Sequence, residues 1–272
     1  MHIRVLGAIE AELNGRSILP TAGKPRQLLA LLAFHSNQVV PVSRLMEEIW
    51  SDAPPRSAPT TLQTYILQIR RRVDEAMGGP RAGACAKELL TTRHEGYQLR
   101  LEPDRFDLHV YNLLTAEGRR AEDLGDDEAA ARRYRAALAL WRGHALADLR
   151  TGPLLAVERM RLEESRLGLV ERRIEVELRL GLHAELVTEL AALTAQHPLH
   201  ENLHAQLIVA HYRSGRPSAA LRVFQTLRTA LVEELGIEPS ARLQRLHQAV
   251  LLDDPGLLAE RAAGRMLDRY PG

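Results

Sequence analysis

The chain has 272 residues, room for one large domain or two ordinary ones, with a formal net charge of +1 and one cysteine. A single cysteine excludes an intrachain disulfide, and the absence of a signal peptide or a run of about 18 apolar residues predicts a cytoplasmic protein without a membrane partner. Any site for a polyanion must be local, because residues 1–102 hold 13 Lys and Arg against 10 Asp and Glu, whereas the remainder holds 23 against 25.

The first sixty residues predict a small sheet followed by two helices. Apolar residues alternate with polar ones near the N-terminus, and Asn14-Gly15 is a two-residue hairpin signal. Helical periodicity then covers 24–35 and 43–50. The next nine residues, SDAPPRSAP, hold three prolines and predict a stiff loop over 51–59.

Residues 60–73, TTLQTYILQIRRRV, predict an amphipathic helix with one basic, hydrogen-bonding face. The apolar stripe, at i, i+4, i+7 and i+11, is Leu62, Ile66, Ile69 and Val73. The residues away from that stripe are Thr64, Gln68, Arg71 and Arg72. Thr60 and Gln63 form a capping box, which predicts that the helix starts there. Such a helix suits the DNA major groove, and an ordinary surface helix with a solvated basic face is the alternative.

The segment after this helix predicts a connector and then a β-hairpin. GGPRAGACA, residues 78–86, is rich in glycine and alanine and predicts a flexible loop that holds Cys85. KELLTTRHEGYQLRLE, residues 87–102, has two β-prone runs around Arg93–Gly96. Strands, three helices and a terminal hairpin, in that order, predict a winged helix with an extra N-terminal sheet, over 1–102.

From residue 103 to 252 the periodicity is helical. Gly125, Gly181 and Gly215 each end a helical segment, and the last two are 34 residues apart, the tetratricopeptide period. The residues five positions after these glycines are Ala130, Leu186 and Ala220. The residues nine positions after them are Tyr134, Leu190 and Phe224. These positions predict an all-α tetratricopeptide-like domain. The tail, 253–272, would form a last frayed helix or no regular structure.

One pentapeptide matches an enzyme motif. Residues 200–204 read H-E-N-L-H, a literal H-E-x-x-H in which His200 and His204 would bind zinc and Glu201 would act as a base. The downstream third ligand is missing, since Leu207 and Ala210 stand where the longer motif continues. A repeat helix that carries histidines is therefore the favoured interpretation, and a metallohydrolase is the alternative. We predict no catalytic residue, no bound metal and no cofactor, and hence not an enzyme.

Two sets of motifs resemble known domains. EEIW, PP, TLQTYILQIRRRV and LLTTRHEGYQL together resemble the OmpR/PhoB-type winged helix. RFDLHVYNLL, AAARRYRAALALWRG and the stretch from HPLHE to EELGIEPS look like the bacterial transcriptional activator domain. In this order the pair is similar to the antibiotic regulatory proteins of actinobacteria, the SARP family.

The resemblance implies an α+β fold: an N-terminal OmpR-type winged helix over 1–102 and an all-α, tetratricopeptide-like activator domain over 103–252. OmpR-type regulators usually carry a phosphorylatable receiver domain before the winged helix. This chain starts with the winged helix, so we expect its activity to be phosphorelay-independent.

The resemblance also implies which side chains meet DNA. Thr64 and Gln68 would face base edges, where a glutamine pairs with adenine and a threonine methyl meets a thymine methyl. Related winged helices often have arginine in place of Gln68, which leaves its preferred base open. Arg93 would enter the minor groove, whose negative potential holds a guanidinium. The DNA backbone would be held by Trp50, Thr60, Thr61, Tyr65, Arg70, Arg71, Arg72, Thr91 and Tyr97. An ion pair with Asp74 or Glu75 is the alternative for one of the arginines, and a core position under the wing is the alternative for Tyr97.

A SARP-like chain would be a sequence-specific DNA-binding activator. It would bind direct repeats near promoters as a head-to-tail homodimer and recruit the RNA polymerase holoenzyme, touching the sigma factor partly through the 51–59 loop. Its target would be a secondary-metabolite (antibiotic) gene cluster. The alternative is a tetratricopeptide-like adaptor whose winged helix binds protein rather than DNA.

Overall fold

The computed structural model describes residues 1–78 and 82–257, and the chain divides into two compact units. The first unit is Met1–Ala116 with Ala136–Leu167, and the second is Glu117–Arg135 with the described residues from Gly168 onward. The first unit thus combines the winged-helix segment with helical residues beyond 102. This spatial division differs from the division predicted near residue 102, which stays a prediction from sequence.

An antiparallel three-stranded sheet begins the first unit. Its strands are β1 (His2–Arg4), β2 (Glu10–Leu13) and β3 (Arg16–Ser17), in that spatial order. Asn14 and Gly15 connect β2 to β3 with φ of 51° and 75°, the positive values that a tight two-residue hairpin turn requires at both positions. The predicted hairpin is therefore confirmed.

Three helices and a further strand follow. The helices α1 (Gly23–Phe34), α2 (Val42–Trp50) and α3 (Ala58–Met77) lie close to their predicted ranges. The strand β4 (Val39–Pro41), between α1 and α2, was not predicted. Three residues are too few to show an alternating pattern, and β4 is defined by its pairing with a strand more than fifty residues later.

The segment between α3 and the hairpin differs from the prediction. Residues 79–81 of the predicted connector lie outside the described residues, but Ala82–Leu89 forms a helix, α4, and Cys85 lies on it. The hairpin is correspondingly shorter, with β5 (Leu90–Arg93) and β6 (Gly96–Leu99) in a sheet of order β4-β6-β5. The connector prediction was wrong because α4 packs against α3, and such tertiary packing stabilises a short helix that is marginal alone.

A buried carboxylate joins the N-terminal sheet to α5 (Asp107–Asp123). Asp107 accepts hydrogen bonds from the backbone nitrogens of Val5 at 2.9 Å and Leu6 at 3.0 Å. Burial raises the pKa of the Asp107 carboxyl, although the two N–H donors and the charge of Arg142 oppose that shift. The end of β1 and the start of α5 therefore satisfy each other's hydrogen bonds inside the first unit.

A second buried carboxylate joins α2 to the start of α7 (Pro153–Arg179). Glu48 accepts hydrogen bonds from the backbone nitrogens of Gly152, Leu154 and Leu155 at 2.6, 2.9 and 3.0 Å. The first N–H groups of a helix have no partner within the helix, and the positive end of the helix dipole favours a carboxylate. Burial raises the pKa of Glu48, against the three donors that lower it. Gly152 permits this approach, because a Cβ there would overlap the carbonyl oxygen of Glu48.

The remaining helices confirm the predicted repeats. They are α6 (Asp127–Leu138), α8 (His183–Gln196), α9 (Glu201–Arg213), α10 (Pro217–Leu235) and α11 (Ala241–Leu251). Gly125, Gly181 and Gly215 lie in the turns after α5, α7 and α9, with φ of 76°, 84° and 71°. All six residues predicted at the fifth and ninth positions after these glycines are buried. The glycines supply left-handed turns, and the buried residues pack the helices that follow them.

A short 3-10 helix, Pro255–Leu257, ends the described residues, so the predicted tail lies outside them from residue 258 onward. Among the described helices, none has the length and apolarity needed to cross a membrane.

Candidate nucleic-acid interface

Helix α3 buries one side and leaves the predicted base-reading residues on the other. Its apolar stripe is buried in the core of the first unit, whereas Thr64 and Gln68 are exposed. The Thr64 hydroxyl donates to the carbonyl oxygen of Thr60 at 3.1 Å, so its oxygen remains available as an acceptor. The Gln68 amide has no partner among the described residues. Their predicted exposure is confirmed, and base reading by the two remains a prediction.

The helix begins two residues before its predicted start. Pro59 occupies the first turn, where the N–H group that proline lacks would be unpaired in any case, and Ser57 is the N-cap residue. Thr60 and Gln63 therefore lie inside the helix, and the predicted capping box is wrong. Thr60 is exposed, whereas Thr61 is half-buried and its hydroxyl donates to the Ser57 carbonyl oxygen at 2.9 Å.

Two of the predicted backbone-binding residues stack on each other. The rings of Trp50, at the end of α2, and Tyr65, on α3, have centroids 6.3 Å apart and planes 16° apart. Lys24 at the start of α1 places its Nζ 5.2 Å from the centroid of the Trp50 ring, a cation–π distance. Lys24 was not among the predicted DNA-binding residues, since its neighbours in sequence form no motif. Only the folded chain brings this exposed ammonium beside the end of α2.

Arg70 contacts the wing. Its Nε and Nη2 donate to the carbonyl oxygen of Leu90 at 3.1 and 2.7 Å, and Nη2 also donates to Thr92 Oγ1 at 2.9 Å. The guanidinium thus ties α3 to the first strand of the hairpin. The Nε and Nη2 donors of Arg70 are thus used within the protein, and the phosphate contact predicted for Arg70 stays a prediction.

The next two arginines of α3 point elsewhere, because consecutive residues of a helix are turned about 100° apart. Arg71 is exposed and has no ion-pair partner among the described residues. Arg72 lies 3.9 Å from the Glu75 carboxylate, which matches the ion pair considered as the alternative. A solvent-exposed pair of this kind has little energetic value. Arg71 is thus the arginine of the three best placed for a phosphate.

In the wing, Arg93 is exposed but its guanidinium is oriented by a neighbour. Its Nε and Nη2 donate to Gln98 Oε1 at 3.1 and 3.0 Å. Gln98 in turn donates from Nε2 to the carbonyl oxygen of Asn37 at 2.7 Å. The three residues form a chain of hydrogen bonds that positions the cation, and neither Gln98 nor Asn37 was identified from the sequence.

The other two predicted wing residues turn inward. Thr91 donates from its hydroxyl to the carbonyl oxygens of Lys87 and Glu88, at 3.2 and 3.1 Å, and so caps the end of α4. Tyr97 is buried in the core of the first unit, on the same face of β6 as Leu99. The two-residue alternation of a strand imposes this orientation on Tyr97. The burial of Tyr97 matches the core position given as its alternative, and the phosphate contact of Thr91 stays a prediction.

The H-E-x-x-H residues have separate structural partners. His200 is the N-cap residue of α9 and places Nε2 3.1 Å from the Glu171 carboxylate. Glu201 accepts a hydrogen bond from the Ser240 backbone at 3.1 Å, and His204 Nδ1 lies 3.0 Å from the His200 carbonyl oxygen. The part of the chain that the structure describes has no group of three or more potential metal ligands. These contacts favour the repeat-helix interpretation of the motif.

Two family models match the chain. The C-terminal domain of transcriptional regulatory proteins matches residues 16–99, and the bacterial transcriptional activator domain matches residues 106–251. The first covers the winged helix with its DNA-facing candidates, and the second covers the helical repeats.

Individual relatives carry both parts. The regulatory protein DnrI of Streptomyces peucetius is 52% identical over 257 residues, which are 94% of each chain. The regulatory protein AfsR of Streptomyces griseus is 37% identical over 94% of this chain, but only 25% of AfsR is matched. The solved structure of Mycobacterium tuberculosis EmbR with a low-affinity phosphopeptide superposes with a TM-score of 0.86 at 30% identity, covering 93% of this chain and 65% of EmbR.

Proposed function

The chain belongs to the SARP family of transcriptional regulators, and on that premise we propose that it is a sequence-specific DNA-binding activator. The observation that carries the proposal is the outward face of α3. Thr64, Gln68 and Arg71 are exposed there, while the opposite stripe fixes the helix to the core. This arrangement leaves an amide, a hydroxyl oxygen and a guanidinium for base edges and phosphates.

The wing supplies the second contact in this proposal. Arg93 lies at the end of β5 next to the turn, exposed and with its guanidinium oriented by Gln98. An oriented guanidinium suits a narrow minor groove, where the potential is most negative. Around these two elements, Lys24, Thr60 and Trp50 are accessible for the DNA backbone.

We further propose that two protomers bind direct repeats near a promoter and recruit RNA polymerase through its sigma factor. The loop after α2 supports the polymerase contact, because residues 51–57 are all exposed and Arg56 has no ion-pair partner among the described residues. The likeness to DnrI supports an antibiotic gene cluster as the target.

Gln68→Ala should weaken specific DNA binding by about 1–3 kcal/mol, the range for one lost base contact. Non-specific binding should barely change, because the side chain is uncharged. Fluorescence anisotropy against the selected operator and a scrambled duplex measures both. Gln225→Ala, an exposed glutamine of α10, is the matched control. Equal loss on both duplexes would remove Gln68 from base reading.

Arg93→Ala should weaken binding to both duplexes and reduce the slope of log K against log salt concentration by about 1, since one phosphate-neutralising cation is lost. The measurement is a salt titration of affinity, with Arg119→Ala on α5 as a control that removes an exposed cation outside the winged helix. Wild-type affinity at every salt concentration would show that the wing makes no DNA contact.

The test of the function itself is selection of bound duplexes from a random oligonucleotide pool by the full chain. We expect enrichment of two copies of one short motif in the same orientation at fixed spacing. An adaptor whose winged helix binds protein should enrich no motif, and that result would contradict the proposal.

A further inference from the structure

A cavity of about 350 Å³ lies in the second unit, where α8, α9 and α10 meet. His204, Leu207 and His211 line it from α9 at i, i+3 and i+7, the spacing of one helical face. Ala219 and Arg222 line it from α10, and the small side chain of Ala219 leaves space between the helices. The proposed DNA contacts involve none of these residues.

The mouth of the cavity is cationic. Arg222 is exposed and forms no ion pair with the described residues, and the same holds for Arg216 nearby. Burial lowers the pKa of His211, and the charges of Arg216 and Arg222 lower it further. Among the residues that the structure describes, no carboxylate lines the cavity. The positive charges at the mouth of the cavity can therefore attract an anionic ligand.

Two imidazoles present hydrogen-bonding atoms without partners. His204 is only 4% exposed, and its Nδ1 donates to the His200 carbonyl oxygen at 3.0 Å. That bond leaves Nε2 as the remaining polar atom of His204, and it has no partner among the described residues. The Nδ1 of His211 is buried and also unpaired. Buried polar groups normally have partners, so the buried Nδ1 of His211 is a hydrogen-bonding atom available to a ligand.

We propose that this cavity binds a small organic anion, a carboxylate carrying an aliphatic or aromatic body. The carboxylate would pair with Arg222 and accept hydrogen bonds from the imidazoles, while the body would pack on Leu207 and Val223. Such a ligand would satisfy the unpaired atoms and cover the apolar wall in one step. The site does not depend on the proposed DNA function.

Binding should be linked to a proton. Because Nδ1 of His204 is already a donor, Nε2 donates to a carboxylate only when the ring is protonated. Burial lowers the pKa of His204, and a bound anion would raise it again. The charged or titratable groups around His204 are His200, Glu201 and His211 on its own helix and Arg222 on α10, and α8 lines the cavity only with Thr194.

The direct test is calorimetric titration of the full chain with sodium benzoate and sodium isovalerate. We expect saturable one-site binding that strengthens from about pH 8 to about pH 6, where an imidazole takes up its proton. Benzamide, a neutral analogue of benzoate, should not bind, and inorganic phosphate should not displace benzoate. The proposal is wrong if neither carboxylate binds saturably. If phosphate binds as tightly as benzoate, the ligand needs no organic body and that part of the proposal is wrong. If the affinity does not change with pH, the imidazoles do not bind the carboxylate.

Two variants locate the site. Arg222→Met should weaken benzoate binding about tenfold, the loss expected for a charge-assisted hydrogen bond. Ala219→Leu should weaken binding by narrowing the cavity without changing any charge. Arg119→Met, an exposed arginine that does not line the cavity, should bind benzoate like the wild type. Circular dichroism confirms that each variant is folded, and wild-type affinity in a folded Arg222→Met would place the anion elsewhere.

Discussion

Glu48→Ala should lower the free energy of unfolding of the first unit by about 3–5 kcal/mol, because each buried donor left without an acceptor costs about 1–3 kcal/mol. Three backbone N–H groups at the start of α7 would lose the same carboxylate. Urea denaturation followed by tryptophan fluorescence measures this change. Both tryptophans, Trp50 and Trp141, lie in the first unit and report on it specifically.

Glu47→Ala is the control for that substitution. Glu47 precedes Glu48 on α2 and is exposed, so its removal should change the free energy of unfolding by no more than about 0.5 kcal/mol. If the two variants unfold at the same urea concentration, water or another group must satisfy the start of α7. The carboxylate would then not be what joins α2 to α7.

Gly152→Ala should destabilise the first unit by about 3 kcal/mol, the upper part of the range for overpacking a dense site. The added Cβ would overlap the Glu48 carbonyl oxygen, which belongs to the backbone of α2 and has no rotamer to change. Either α2 or the start of α7 must move, and that movement also lengthens the hydrogen bonds to the Glu48 carboxylate. The same denaturation experiment gives the shift.

Gly168→Ala is the comparison glycine, and its unfolding is followed by circular dichroism because Gly168 belongs to the second unit. Gly168 lies within α7, and a Cβ there would meet no atom within 4 Å. Its replacement should raise the free energy of unfolding by about 0.5–1 kcal/mol, because alanine loses less conformational entropy in a helix than glycine does. We therefore expect changes of opposite sign in the free energy of unfolding for the two variants. A Gly152→Ala variant as stable as the wild type would contradict the close approach of Gly152 to the Glu48 carbonyl oxygen.

Both substitutions act on a contact that the sequence does not reveal. Glu48 and Gly152 are 104 residues apart, and Asp107 is 102 residues from Val5. No periodicity or local motif relates residues at such separations. A fragment ending at residue 102 would lack both Asp107 and the backbone that Glu48 caps, so α2 and the start of α7 are joined by hydrogen bonds within the first unit.

The helices of the second unit show what local patterns predict well. Each repeat glycine lies in a turn because only a left-handed backbone closes it, and a glycine adopts that conformation without steric cost. The small residue at Ala130 and the large one at Phe224 are buried because the helical period returns them to the packed face. By contrast, β4 and α4 were missed or misassigned, since pairing with β6 and packing on α3 create them.

The candidate interface also combines features that follow from the sequence pattern with features that only tertiary contacts decide. The sequence by itself determined that α3 exposes Thr64, Gln68 and Arg71, because a helix of known period has no other way to bury its aliphatic stripe. Only the tertiary structure decided the use of each polar side chain: Arg70 binds the wing backbone, Tyr97 fills the core and Gln98 orients Arg93. Periodicity specifies the side of an element on which a residue lies. The hydrogen-bond partners of that residue depend on which distant segments the fold brings within about 3 Å.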